Sequence, residues 1–219
     1  MIKMKKIMII TTLLTMMFLL IGFFLGVWFD NLRADELREE LTEIDIMWND
    51  ARLQSLYYQT FSDGELCDSA LEGNLKFSER IYEEGQKIER YEKVNRFAPN
   101  LLSQKKRYAL LQMQFWFNSI SLRERCGYNY STVVYLYSHY DDELSTEQKV
   151  MSAALFELKE EHGSDMMLIP LPADIGILSV DVIEEEFGVK ELPAIIVNEK
   201  HVFEGMINKD QVEEVLFER

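Results

Sequence analysis

Residues 191–205, ELPAIIVNEKHVFEG, decide the fold of the second half of the chain. Two short apolar runs, Ala194 to Val197 and His201 to Phe203, flank the polar triplet Asn198-Glu199-Lys200. Runs rich in β-branched and aromatic residues on either side of a short polar turn are typical of a β-hairpin. We therefore predict two antiparallel strands here, with Pro193 directly before the first of them.

The residues around this hairpin predict a small mixed sheet with helices on both faces. Thr132 to Tyr137 and Met166 to Leu171 are apolar runs typical of buried strands. A helix is predicted after each of them, from Ser145 to about His162 and from Leu178 to Phe187, and a last short helix runs from Lys209 to Phe217. The predicted order is β-α-β-α-β-β-α.

In this order and spacing, residues 131–217 resemble a minimal thioredoxin-like domain. The whole chain is similar to membrane-anchored thioredoxin-like proteins of bacteria and archaea. The resemblance is carried by Phe187-Gly188-Val189, by Glu191 to Val197 and by Phe203-Glu204-Gly205. In that family the proline before the third strand is cis and lies against the active site, and the resemblance implies the same for Pro193.

The loop after the first strand departs from the redox-active members of that family. Those members carry Cys-x-x-Cys in this loop, where Asp142 and Ser145 are the matching positions. Because thiol–disulfide exchange requires a thiolate, we predict no catalytic residue and a redox-inactive domain. The residues predicted to line a partner groove instead are Ser138, His139, Tyr140, Asp141, Asp142, Ser145 and Pro193.

The same loop contains residue types that bind metals. His139, Asp141, Asp142 and Glu143 lie close together in the sequence, and their oxygens could hold Ca²⁺ or Mg²⁺ weakly. Their spacing does not match a known metal-binding loop such as the EF-hand, which favours a solvated acidic loop. We predict neither a metal nor a cofactor.

Residues 31–130 are predicted to form a three-helix antiparallel, coiled-coil-like stalk with a break near Pro99. Short connections between long helices favour antiparallel neighbours. The apolar residues at three- and four-residue spacings are Leu37, Leu41, Ile44, Trp48, Ala51 and Tyr58 in the first helix, Ala70, Phe77, Ile81 and Ile88 in the second, and Tyr108, Leu111, Phe115 and Leu122 in the third. Trp116 is expected to pack in a core or interface.

The two cysteines of the chain lie in this helical region. Cys67 is near the start of the second helix and Cys126 is at the end of the third, so a hairpin brings them together. In an oxidising compartment we predict a structural disulfide, with two free buried thiols as the alternative. Six strand residues span roughly 20 Å, so Cys126, which precedes the first strand, is predicted to lie far from the loop that follows it.

A transmembrane anchor is predicted at residues 7–29, which contain no charge. At 1.5 Å per residue this run spans roughly 35 Å, and no small-residue cleavage site follows it. Lys3, Lys5 and Lys6 precede the run and Asp30 follows it. The positive-inside rule therefore predicts a cytoplasmic N-terminus and a periplasmic or extracellular location for the rest of the chain.

The chain is strongly acidic, with a net charge of −15, and residues 131–219 hold 6 basic and 20 acidic residues. This balance excludes a nucleic-acid partner, because binding to phosphates needs clustered Lys and Arg. The acidic surface keeps the domain soluble, and it also favours a basic partner.

Together these features predict a fold of mixed α+β/α class in three segments: a basic tip and anchor (1–30), a helical stalk (31–130) and a thioredoxin-like domain (131–219). The predicted function is a single-pass cytoplasmic-membrane protein whose outer domain binds or scaffolds a protein partner. Two alternatives stay open. One is a thiol–disulfide oxidoreductase or isomerase component that uses Cys67 and Cys126, and the other is a homo-oligomeric membrane organiser built on the first helix.

Overall fold

A computed structural model of the chain describes residues 2–60, 67–94, 101–141 and 143–218. The chain divides into two compact units, Met1–Ile46 and Met47–Arg219. Helix α1 (Ile2–Thr60) forms the whole of the first unit that is described and continues into the second.

The predicted anchor lies within α1. Over the residues that the structure describes, no helix combines the length and the apolar character needed to cross a membrane. The anchor at 7–29 therefore gains no support from the structure and stays a prediction. Of the predicted apolar seam of this helix, Ala51 is buried and Trp48 is half-buried, whereas the side chains at positions 37, 41, 44 and 58 lie outside the described part.

Helices α2 (Cys67–Val94) and α3 (Leu101–Cys126) form an antiparallel hairpin. Cys67 and Cys126 form a disulfide, as predicted, with their Cα atoms 5.7 Å apart. The residues predicted to face inward from α2 are all buried: Ala70, Phe77, Ile81 and Ile88. The ring of Phe77 meets that of Phe115 edge-on at 6.4 Å, so the two apolar stripes pack on each other. The break predicted at residues 97–100 lies outside the described residues.

The predicted strand and helix order of the second half is confirmed. The elements are β1 (Ser131–Tyr137), α4 (Ser145–His162), β2 (Met166–Pro172), α5 (Leu178–Phe187), β3 (Ala194–Val197), β4 (His201–Glu204) and α6 (Lys209–Leu216), with a single 3₁₀ turn before β2. The sheet order is β2-β1-β3-β4. β1 and β2 are parallel, and the other two pairings are antiparallel.

The two faces of the sheet are covered by different helices. Val133 and Tyr135 of β1 share a buried core with side chains from α4 and α6, including Leu155 and Leu216. Successive strand residues point to opposite faces. Thr132 accordingly points the other way, where its hydroxyl accepts a 3.1 Å hydrogen bond from Arg123 of α3. Helix α3 packs against β1 and β2 on this second face.

The α2–α3 hairpin and the sheet belong to one compact unit. The division into a stalk (31–130) and a thioredoxin-like domain (131–219) stays a prediction. The side chain of Trp116 in α3 is 1% exposed, and its ring lies 6.2 Å from that of Phe187 in α5. The apolar surface of α3 completes the core of the α/β part.

Candidate functional site

The loop between β1 and α4, residues 138–144, is organised around Asp174. Asp174 follows β2, and because β1 and β2 are parallel their C-terminal ends meet at the same edge of the sheet. The carboxylate of Asp174 accepts hydrogen bonds from the backbone amides of His139 at 2.7 Å and Tyr140 at 3.1 Å, and from the hydroxyl of Ser138. Three successive residues of the loop are thus bound by one side chain from the segment that follows the neighbouring strand.

The electrostatics of Asp174 follow from these contacts. Partial burial acts to raise the pKa of this carboxyl, but the hydrogen bonds from Ser138, His139 and Tyr140 outweigh it. The net result is a pKa below the ordinary value of aspartic acid, because hydrogen bonds to the charged form favour that form. Asp174 is therefore an ionised anchor for the loop at neutral pH.

Asp141 fixes the second half of the same loop. Its amide donates to the hydroxyl of Ser138 at 2.9 Å, and its carboxylate accepts from the amides of Glu143 at 2.9 Å and Leu144 at 3.3 Å. Short polar side chains commonly bind amides two or three residues further on in this way. The loop is held by its own side chains up to the start of α4. Asp142, one of the predicted groove residues, lies outside the described residues.

His139 is held by a cation from α3. Its Nδ1 atom lies 3.0 Å from Nζ of Lys105, and the same ammonium group lies 2.7 Å from the carboxylate of Glu92 in α2. An ammonium group can only donate, so Nδ1 accepts and the proton of the neutral ring is on Nε2. The helical hairpin thereby supports the loop, a contact that the sequence analysis missed.

Pro193 lies at the same end of the sheet as this loop. Leu136 pairs with Ala194, so the antiparallel register places Pro193 opposite Tyr137, the last residue of β1. The Leu192–Pro193 peptide bond is cis, as the resemblance implies, and the proline is buried. Its carbonyl accepts a 2.8 Å hydrogen bond from the amide of Gly205. Of the other predicted groove residues, Tyr140 is 59% exposed and Ser145 begins α4 half-buried.

The disulfide lies at the opposite end of β1. Cys126 ends α3 five residues before this strand, and Tyr128 between them donates a 3.2 Å hydrogen bond to Asp68 next to Cys67. The seven residues of β1 separate this end from the β1–α4 loop by roughly 20 Å. The disulfide and the cis-proline are therefore not parts of one site.

A second polar cluster, which we call the Glu199 cluster, joins α3 to the β3–β4 turn near the N-terminal end of β1. The carboxylate of Glu199 accepts from Nε1 of Trp116 at 2.7 Å and from the hydroxyl of Thr132 at 2.6 Å, and it forms an ion pair with Arg123. Asn198 accepts a 3.1 Å hydrogen bond from Arg123. These side chains tie the helical hairpin to the sheet.

The backbone of this turn is unusual. Asn198 and Glu199 both have left-handed conformations, with φ angles of 51° and 56°. Asparagine adopts this region readily, whereas for Glu it costs on the order of 1 kcal/mol. The contacts of the Glu199 carboxylate offset that cost. The sequence predicts the turn itself from local residues. It carries no signal that Trp116 and Arg123 of α3 bind this turn.

One group of side chains outside the loop has metal-binding character. Among the described residues, donor atoms of Glu161, His162 and Glu213 lie within 4.8 Å of one another. The ammonium group of Lys209 lies 3.5 Å from Glu161 and 2.8 Å from Glu157, so a cation already neutralises part of this acidic surface. His162 and Glu213 also bind each other at 3.3 Å.

Comparisons with known proteins give distant likenesses only. No protein-family model and no curated protein matches the chain. Solved structures that resemble it include the germline-specific thioredoxin Deadhead from Drosophila melanogaster (TM-score 0.35, 13% identity, 47% of this chain and 90% of that one). Others are a chloroplastic thioredoxin z (0.33, 12%, 41% and 78%) and a malarial protein (0.32, 18%, 40% and 93%).

These likenesses are too weak to carry an argument on their own. The order of the elements in the α/β part, β-α-β-α-β-β-α, is the one that the resemblance to a thioredoxin-like domain implies.

Proposed function

We propose that this chain is a membrane-anchored, extracytoplasmic protein whose thioredoxin-like domain binds a polypeptide without thiol chemistry. The observation that carries the proposal is the composition of the β1–α4 loop, which contains no cysteine in the sequence. The described loop residues are held by Asp174 and Asp141 instead. Neither a carboxylate nor a hydroxyl can replace the attacking thiolate of an exchange reaction.

The position of the cysteines supports the same conclusion. The two cysteines form a disulfide with each other, and this disulfide lies at the end of β1 away from Pro193. A substrate bound along Tyr140 and Pro193 would be roughly 20 Å from the nearest sulfur, a distance that no direct exchange can cross. Their proposed role is to hold α2 against α3.

The proposed anchor rests on the sequence of residues 7–29, a run of 23 residues without a charge. The large apolar side chains from Ile10 to Trp28 are between 44% and 74% exposed. Exposed apolar surface of this extent is unfavourable in water and favourable in lipid. Alkaline carbonate extraction of membranes tests the anchor. We expect the full chain to stay in the pellet and a chain lacking residues 1–30 to leave it, and extraction of both would contradict the anchor.

The thiol-independent function is tested by an insulin-reduction assay with the full chain in phosphatidylcholine nanodiscs. We expect the wild type and the Cys67→Ser/Cys126→Ser variant to show the same rate as empty nanodiscs. A rate in the wild type that the double substitution abolishes would support the oxidoreductase alternative instead. An Asp142→Cys/Ser145→Cys variant serves as the positive control, because it restores Cys-x-x-Cys at the matching positions.

A further inference from the structure

The outward face of α5 is apolar and acidic. Val180 and Ile183 attach this helix to the core, whereas Leu178 is 77% exposed and Val182 is 56% exposed. Residues four apart lie on the same face of a helix, so these two side chains form one patch. Asp181 and Glu185, also four apart, are exposed on the same helix. The patch therefore has carboxylates next to it.

This face of α5 is continuous with the β1–α4 loop through Asp174. Asp174 binds the amide of Tyr140, whose ring is exposed. Asp174 itself lies in the short segment that leads from β2 to α5, four residues before Leu178. We define the α5 surface as Tyr140, Asp174, Leu178, Asp181, Val182 and Glu185.

The charge of this surface selects among the partners that could cover it. A second copy of the chain would bring another acidic domain, since residues 131–219 hold 20 acidic and only 6 basic residues. An anionic lipid surface would be repelled for the same reason. Two lysines of α3 near this surface have partners: Lys105 binds Glu92 and His139, and Lys106 donates to the carbonyl of Gly176 at 3.2 Å. A cationic polypeptide is the partner whose charge complements this surface.

We infer that the α5 surface binds a cationic amphipathic polypeptide segment, with apolar side chains against Leu178, Val182 and Tyr140 and Lys or Arg side chains against Asp181 and Glu185. This inference rests on the proposed polypeptide-binding function and names the class of partner. The helix-in-groove and strand modes of peptide recognition both combine apolar anchors with charged flanks in this way.

The test uses the full chain in phosphatidylcholine nanodiscs and a fluorescein-labelled amphipathic peptide of Leu and Lys, about 14 residues or four helical turns long. Fluorescence anisotropy gives its Kd, with empty nanodiscs as the blank. We expect Leu178→Ser/Val182→Ser to weaken binding about tenfold or more. Asp181→Asn/Glu185→Gln should also weaken it and should flatten its dependence on salt.

Val150→Ser is the matched control. Val150 is 55% exposed on α4, almost the same as Val182, but the residue four positions further on is Ala154. We expect this variant to bind the peptide like the wild type, and melting curves show that each variant is folded.

Three results would overturn the inference: an equal loss of binding in Val150→Ser, equal binding of a peptide with Glu in place of Lys, or no binding beyond that of empty nanodiscs. The insulin-reduction assay is independent of these outcomes. An inactive protein that does not bind the peptide would therefore overturn the partner class alone, whereas an active one would overturn the proposed function.

Discussion

The two ends of β1 are built from different interactions. At the N-terminal end a disulfide, an ion pair and the buried indole of Trp116 join α2, α3 and the sheet. At the C-terminal end a solvent-exposed loop is held by carboxylates that bind backbone amides, and Tyr140 and Leu178 leave apolar surface open to solvent. One end uses its side chains to stabilise the fold, and the other leaves side chains accessible to a partner.

The two ends of β1 therefore keep the disulfide apart from the exposed β1–α4 loop. Cys67 and Cys126 are the residues that thiol chemistry would use, yet they are joined to each other in a disulfide that links α2 to α3. Polypeptide recognition is proposed at the other end, where no thiol is present in the sequence.

Removal of the disulfide should cause the largest loss of stability. The bridge joins residues 59 apart, and the chain-entropy model assigns about 4 kcal/mol to a loop of that length. We expect Cys67→Ser/Cys126→Ser to lower the free energy of unfolding in urea by this amount. Wild-type protein unfolded in the presence of reductant is the control and should match the variant. A loss below about 1 kcal/mol would contradict a structural role.

Glu199→Ala should have the next largest effect. The substitution leaves Arg123, Trp116 and Thr132 without their shared acceptor, and removal of one partner from a largely buried ion pair typically costs about 3 kcal/mol. Glu191→Ala is the matched control, since it removes an exposed glutamate of the same domain and should change stability by less than about 0.5 kcal/mol. Equal effects in urea unfolding would mean that the Glu199 cluster does not join α3 to the sheet.

Asp174→Asn should act at the C-terminal end of β1 and lower the free energy of unfolding by about 1 kcal/mol. The substitution removes the negative charge of an exposed side chain that accepts hydrogen bonds from two loop amides. The pKa of Asp174 is lowered in the folded state, so its contribution is complete above the ordinary value of 3.8 and is lost as the pH falls further. The difference in stability from wild type should therefore be present at pH 7 and shrink below pH 3.8.

Amide hydrogen exchange shows whether this effect is local. We expect faster exchange at His139 and Tyr140 in Asp174→Asn, and unchanged exchange in the Glu199 cluster. Asp181→Asn removes a neighbouring exposed charge that binds no loop amide among the described contacts, and it should leave these amides protected. Faster exchange at both ends of β1 would contradict their independence.

Glu184→Gln should change stability least of the four substitutions, and it should raise stability where the others lower it. Burial and then the charges of Asp181 and Asp174 raise the pKa of Glu184, so its ionised form is unfavourable in the folded state. The cost arises as the pH increases from 4.5 through the raised pKa. Glu184→Gln should therefore melt slightly higher than wild type at pH 7 and equally below pH 4.5. A lower melting temperature at pH 7 would mean that the ionised form of Glu184 is favourable in the folded state, contrary to this expectation.

The sequence predicted the elements of the α/β part because their signals are local. A strand such as Thr132 to Tyr137, or the turn at Asn198, can be recognised from the types of a few consecutive residues. The disulfide was also predictable, since the positions of Cys67 and Cys126 are symmetric about the expected turn of the α2–α3 hairpin. Each of these inferences needed no knowledge of tertiary packing.

The position of α3 on the sheet could not be predicted in the same way. An amphipathic pattern shows that Phe115 and Leu122 are buried, but not which surface buries them. The ion pair between Arg123 and Glu199 joins residues 76 apart and leaves no local signal. The packing of α3 on the sheet was missed for this reason.

The role of Asp174 could have been found from the sequence. It comes three residues after the end of the predicted strand Met166 to Leu171, which is parallel to β1, so topology places it near the β1–α4 loop. The groove residues Ser138, His139, Tyr140 and Asp141 were predicted from the resemblance, whereas the carboxylate that holds them was missed. Leu178 and Val182 were not predicted to form an exposed patch, because the sequence analysis assigned only a helix from Leu178 to Phe187.

Graded reduction with thiol alkylation tests most directly whether the N-terminal end of β1 is structural and not catalytic. The full chain in nanodiscs is treated with increasing dithiothreitol, alkylated with a maleimide and weighed intact, and its melting temperature is recorded at each step. We predict that Cys67 and Cys126 become alkylated together and that the melting temperature falls as they do. Alkylation at low concentrations of reductant with no fall in melting temperature would contradict a structural role for the disulfide, because the two cysteines could then cycle between oxidised and reduced forms.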